Sequence, residues 1–169
     1  MRLSAIALLG LLLSSACGFH LRSWDLTSTV SSAHVTSERR NFLAEPLRKG
    51  LDQAGVELSA RASDAELVVQ LVEERKERRS VSVTGRARAA EYELTMAVHF
   101  SVHDTVEGEA HVLIEPRWVE TTRVYRVDAD NIVGNSEEQT LLESEMVNDL
   151  VQQVIRVLNA VSRETGVDS

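Results

Sequence analysis

From Glu91 to His103 the chain alternates with a period of two. Tyr92, Leu94, Met96, Val98, Phe100 and Val102 take the even positions, and the odd ones are polar apart from Ala97. Side chains along a strand point to opposite faces in turn, so this parity makes one wall apolar and the other wet, as in a sheet covered on one side only. A helical period of about 3.6 would smear the same residues around the cylinder. At about 3.3 Å per residue the run reaches roughly 40 Å, far beyond the usual strand of about 5–6 residues. It is the spine of a sheet, and the other elements are its neighbours and cover.

Those elements follow from local pattern. Leu26 to Val35, rich in Ser, Thr and Val, reads as a first strand. Asn41 to Ala54 carries Leu43, Leu47, Leu51 and Ala54 at helical spacing and stops at Gly55, with Pro46 tolerated near the first turn. Leu67 to Val72 is β-rich and continues through a charged run, with Val81 and Val83 carrying the strand to a reversal at Thr84-Gly85. After the spine, Thr105 to Pro116 reads as a turn broken by Gly108 and Pro116. Trp118 to Val127 returns as a strand, and Asp128–Asn131 and Gly134-Asn135 mark a loop. Ser136 and Gln139 then read as a capping box. The helix beyond them carries Leu142, Met146, Leu150, Val154, Leu158 and Val161 as a stripe, widened by Leu141, Val147, Val151 and Ile155.

This order, β-α-β-β-β-α, predicts an α+β two-layer sandwich: about four mostly antiparallel strands with two helices on the apolar face. The 169 residues, 43% of them apolar, suffice for one core. The opposite face of the sheet stays polar, so water or a polar concave partner lies against it.

Residues 1–16 have a charged start, an apolar run and a small-residue end, which reads as a secretory signal too short for the roughly 20 residues of a spanning helix. The mature domain is then residues 17–169. Its first residue, Cys17, is the chain's single cysteine, so it has no intramolecular disulfide partner and is either buried, paired with another chain or chemically modified. The plainer alternative is an ordinary signal cut nearby that leaves it free. Its setting, Leu13-Ser14-Ser15-Ala16-Cys17-Gly18, resembles a lipobox, in which the thiol is acylated and becomes the new N-terminus. Anchoring is stable when more than one acyl chain is attached. Gly18, rather than Asp, after the cysteine implies delivery to the outer membrane.

The formal charge is −8, and loss of Arg2 with the signal makes it one unit more negative. From Glu73 to Arg88, however, six bases (Arg75, Lys76, Arg78, Arg79, Arg86, Arg88) face three acids (Glu73, Glu74, Glu77). From Asp104 to Ser169 fourteen acids face five bases. Such polarity points to an anionic partner at one end and argues against nucleic acid, which favours a basic domain. Charges that protect a strand edge would also account for the cluster. Arg86 and Arg88 share one strand parity, so both guanidiniums face the same surface.

Nothing in the chain spells catalysis. His99 and His103, one face of a strand apart by about 13 Å, are too distant for one metal ion and read as two exposed histidines. There is no nucleophile elbow and no glycine-rich phosphate loop. No cofactor is expected, and a binding or assembly protein is favoured over an enzyme.

Cys17-Gly18-Phe19-His20-Leu21-Arg22, then Gly85-Arg86-Ala87-Arg88-Ala89-Ala90-Glu91-Tyr92-Glu93-Leu94, then Val124-Tyr125, and Glu138-Gln139 through Glu145-Met146 and Asp149-Leu150 resemble the LPS-assembly lipoprotein LptE family. The resemblance implies two helices on a four-stranded sheet, anchored through the acylated (palmitate-bearing) Cys17 at the periplasmic face of a Gram-negative outer membrane. It implies a plug inside an LptD-type β-barrel, whose polar lumen is the concave partner, and a part in lipopolysaccharide transport. It also implies lipopolysaccharide binding by basic residues before the Ala-Glu-Tyr strand. Arg86 and Arg88, with Arg78 and Arg79 behind them, are the candidates; Gly85 stands where some members carry a base. The second basic region of the family, at the start of the last helix, is here Gly134-Asn135, without a base. The rival reading is a free-standing periplasmic lipoprotein that binds another anionic envelope component, or an enzyme.

Overall fold

The computed structural model describes residues 30–83, 89–106, 109–128 and 132–165. Five strands and two long helices follow one another: β1 (Ser32–Ser37), α1 (Ala44–Gln53), β2 (Glu57–Leu58), β3 (Leu67–Val83), β4 (Ala89–Val106), β5 (Glu109–Arg126) and α2 (Ile132–Thr165). A short 3-10 turn, Ala62–Asp64, precedes β3. The sheet order is β2-β1-β3-β4-β5. β1 runs parallel to β2 and β3, while β3, β4 and β5 form an antiparallel meander. The α+β sandwich therefore stands, with the two-residue β2 as a fifth strand too short to leave a periodic signal.

The spine is β4, and its even residues are the floor of the core. Leu94, Met96, Val98, Phe100 and Val102 are buried and Tyr92 is partly so. Against them pack Leu43, Leu47 and Leu51 around α1, and Met146, Leu150, Val154 and Leu158 from α2. Leu141, assigned to the second apolar row, instead points outward and is 61% exposed. Where the two helices cross, Gly50 leaves no room: a Cβ there would lie 2.6 Å from Val151 Cγ1.

α1 ends as its sequence predicts. Gly55 takes φ 84°, the left-handed conformation that glycine adopts without a Cβ penalty. The Val56 N–H donates to Leu51 O and the Gly55 N–H to Asp52 O, at 3.0 and 2.9 Å, the paired bonds of a Schellman motif. At the other end Asn41 Oδ1 accepts from the Leu43 N–H, so the helix begins three residues later than the apolar spacing alone implies.

Three boundaries depart from expectation. The segment read as a turn from Thr105 to Pro116 is mostly strand, for β4 runs to Val106 and β5 starts at Glu109. Pro116 is accommodated because β5 is an edge strand and its register slips there, between the Phe100–Arg117 and Val102–Ile114 pairs. Gly134-Asn135 is helix, not loop. Ser136 is accordingly no cap; its carbonyl accepts from Thr140 Oγ1 within the helix. The predicted first strand overlaps β1 from Ser32 to Val35, Val30 and Ser31 being outside the strand, whereas Leu26 to Thr29 and the Thr84-Gly85 reversal lie outside the described residues.

β3 changes parity along its length. Leu67, Val69 and Leu71 face the core, but between Leu71–Phe100 and Glu73–His99 the pairing skips Val72. A bulge of this kind leaves one residue unpaired and turns the following side chains over. Beyond it Glu74, Lys76 and Arg78 lie on the helix side, opposite Val98, Met96 and Leu94. Glu73, Arg75, Glu77 and Arg79 lie on the outer face. A second slip sits at Val81, and the two extra residues, Val72 and Val81, are both exposed.

Candidate functional site

The helix-side half of β3 meets the first turns of α2 beside the hairpin end of the sheet, and a cleft of about 360 Å³ opens between them. Arg78, Tyr92, Tyr125, Asn135 and Gln139 line it. Tyr92 and Tyr125, the chain's two tyrosines, pair across β4 and β5 with ring centroids 6.0 Å apart. The Arg78 guanidinium lies over the Tyr92 ring at 4.5 Å, a cation–π contact that holds it in place without neutralising it.

Gln139 organises the polar side. Its Oε1 accepts from Arg78 Nη1 at 3.1 Å and from the Tyr125 hydroxyl at 2.9 Å, while its Nε2 donates to Glu143 Oε1 at 2.7 Å. Lys76 closes the chain with an ion pair to Glu143. Burial would raise the Glu143 pKa, but the hydrogen bonds from Gln139 and Lys76 and the charges of Lys76 and Arg78 outweigh it and hold the carboxyl below its ordinary range.

Asn135 works on the backbone. Its Oδ1 accepts from the Asp128 N–H at 3.0 Å and its Nδ2 donates to Asp128 O at 2.6 Å. The amide thereby ties the end of β5 to the first turn of α2 and sets the cleft wall. The family's second basic position is thus filled here by a clamp.

The candidate arginines are not one group. Arg78 is in the cleft. Arg79 is on the outer face, its Nε donating to Glu93 Oε1 at 2.6 Å, a bond that pushes its pKa up. Arg75 pairs with Glu77 at 3.7 Å and covers Trp118 at 4.8 Å. Among the described residues of the basic run, Arg78 alone makes no ion pair, its hydrogen bond and ring contact being to neutral groups while its charge is felt by the nearby Glu143. Cys17, Arg86 and Arg88 lie outside the described residues, as do residues 1–16, which the sequence reads as a secretory signal. The residues that sequence reasoning did not assign to a site are Tyr92, Tyr125 and Gln139; the scarcity of aromatic residues, 4% of the chain, is the signal that singles out the tyrosines.

The outer face carries the exposed Val112, Trp118 and Val124 among polar residues that are largely self-paired. Arg126 meets Glu91 at 3.6 Å and Thr95 meets Thr122 at 3.2 Å. His99 stacks on Trp118 at 5.0 Å, and His103 Nε2 shares a hydrogen bond with Ser101 Oγ. Both histidines are half-buried and engaged separately. Among the described residues no group of His, Cys, Asp and Glu is arranged to hold a metal ion, and no helix is long and apolar enough to cross a membrane.

Solved structures share the two-layer fold. The chain is similar to rare lipoprotein B from Shewanella oneidensis, at 24% identity and TM-score 0.65, covering 82% of this chain and 100% of that one. It is similar to an uncharacterized lipoprotein B from Nitrosomonas europaea, at 23% identity and TM-score 0.71, covering 86% and 93%. A minor lipoprotein from Acinetobacter baumannii matches at 23% identity and TM-score 0.61, over 78% and 92%. No curated protein matches the sequence. Residues 29–158 match the LptE family, described as lipopolysaccharide-assembly. The chain belongs to the LptE family.

Proposed function

We propose that this chain is an outer-membrane lipoprotein, cleaved after residue 16 and acylated at Cys17, that plugs an LptD-type β-barrel and takes part in lipopolysaccharide transport to the cell surface. It makes and breaks no bonds. Family membership supports the assembly role, and the largely polar outer face of the sheet suits a polar barrel lumen. Arg78 carries the binding half of the reading. It is exposed, held over Tyr92, and hydrogen-bonded to a neutral amide, so its charge is available to an anionic group such as a lipid A phosphate. Arg86 and Arg88, between β3 and β4 in the sequence, are proposed as further contacts; Arg79, paired with Glu93 on the outer face, is not.

The test is made on the complex extracted from outer membranes in mild detergent. A large β-barrel should come out in near-equal amount with both wild-type and Arg78→Glu protein. Lipopolysaccharide binding should fall in Arg78→Glu and stay unchanged in Arg79→Glu. Absence of a barrel removes the plug reading, and unchanged binding in Arg78→Glu removes the site.

A further inference from the structure

β5 is an edge strand, and its two halves are guarded differently. The half from Glu109 to Arg117 carries Pro116 and two register slips, devices that stop further strand pairing. The open side of β3 beyond Leu71 carries the charged run Glu73 to Arg79, a second such device. From Trp118 to Arg126, by contrast, β5 pairs one-to-one with β4 without proline or bulge, and of its three charged residues Arg123 is paired with Asp149 and Arg126 with Glu91. That half is a regular edge rich in β-forming residues.

In an antiparallel ladder alternate residues turn both N–H and C=O away from the neighbouring strand. Glu120 and Thr122 share one parity along β5, and both carbonyls accept side-chain donors. The Glu120 carbonyl accepts from Gln153 Nε2 at 3.2 Å, and the Thr122 carbonyl from Arg123 Nη1 at 3.0 Å. Side-chain N–H groups thus donate to carbonyls of this edge strand, as the main-chain N–H groups of a sixth strand would.

Beside this edge runs a groove of about 510 Å³ between β5 and α2. Its floor is apolar, with Val119, Val157 and Ala160, and Arg117 and Arg156 stand over it. Both arginines are exposed, and neither has a hydrogen bond or ion pair among the described residues. Two free guanidiniums are notable in a region where acids outnumber bases so heavily.

We propose that the Trp118–Arg126 edge and this groove receive an extended peptide strand of a partner protein, with an apolar side chain over Val119 and Val157 and a carboxylate against Arg117 and Arg156. Strand addition supplies main-chain hydrogen bonds, and alternate side chains supply specificity. The site is separate from the Arg78 cleft and does not depend on the reading of that cleft.

The probe is a labelled, capped peptide alternating valine with glutamate, presented to the full acylated chain in detergent. Its counterparts are a valine–lysine peptide and a glutamate peptide N-methylated at alternate residues. The glutamate peptide should bind, and the lysine and N-methylated ones should not. Arg117→Glu/Arg156→Glu should weaken binding by about tenfold or more, as expected for losing charge-assisted contacts. Arg78→Glu should leave it unchanged. Circular dichroism and the melting temperature of the double variant establish that it is folded. Absence of binding, equal binding of the lysine or N-methylated peptides, or undiminished binding to the folded double variant overturns the proposal. So does a double variant that loses lipopolysaccharide affinity while keeping the peptide, because the arginines would then serve a phosphate-bearing lipid. If the variant unfolds, Arg117→Gln/Arg156→Gln is measured against the same outcomes.

Discussion

Arg78 and Arg79 are adjacent in the chain and lie on opposite faces of the sheet, Arg78 over Tyr92 beneath α2 and Arg79 beside Glu93 on the outer wall. Substituting each with alanine separates their roles. Arg78→Ala should weaken lipopolysaccharide binding by about ten- to a hundredfold, in line with loss of one charge-assisted contact worth about 1.5–3 kcal/mol. Arg79→Ala should leave affinity within error. Titration of the purified complex with lipopolysaccharide checks both.

Gly50→Ala tests the helix crossing. In an open helix the change would stabilise by about 1 kcal/mol through propensity. Here the new methyl meets Val151 Cγ1, and overpacking costs about 1–3 kcal/mol. The steric effect should win, lowering the urea midpoint, and Gly50→Ala/Val151→Ala should recover part of the loss.

Asn159 is 4% exposed, and neither its Oδ1 nor its Nδ2 has a hydrogen-bond partner. A buried unpaired polar group costs about 1–3 kcal/mol. Asn159→Leu, similar in size, should raise the midpoint, by about 1 kcal/mol after repacking. A fall in stability would show that the amide is satisfied in solution.

Glu143 titrates with the cleft network. Its native pKa lies below the ordinary 4.5, so the folded state favours the ionised form. The stabilisation is present above the unfolded-state pKa and is lost as pH falls through the lower native value. Glu143→Gln should therefore be less stable than wild type at neutral pH by a few tenths of a kcal/mol, the scale of exposed pairs. The difference should close in acid. Denaturation midpoints at neutral pH and in acid measure it.

Much of the fold was legible because period-two and 3.6-residue patterns reflect one buried face. The alternation of β4 found the core floor, and the Leu43-Leu47-Leu51 row with Gly55 found α1 and its end. What escaped had no periodic signature. Pro116 reads as a breaker unless one knows that its strand is at an edge, and Asn135 reads as a turn residue although its amide closes on Asp128 from within the helix. The basic run was visible as composition. Its division between two faces was not, because no residue type marks a bulge.

That bulge gives the chain an unusual kind of vulnerability. Val72 makes no contact in the cleft, yet it sets the phase of every side chain between it and the next slip at Val81. Were Val72 taken into the ladder opposite His99, Arg79 would come under α2 and Arg78 would go to the outer wall, whereas removing Val72 would leave the Glu73–His99 and Arg78–Leu94 pairs as they are. The cleft is thus written partly in the count of residues along β3, and one residue inserted between Glu73 and Arg78 would exchange the two arginines where the loss of Val72 would be absorbed by the bulge.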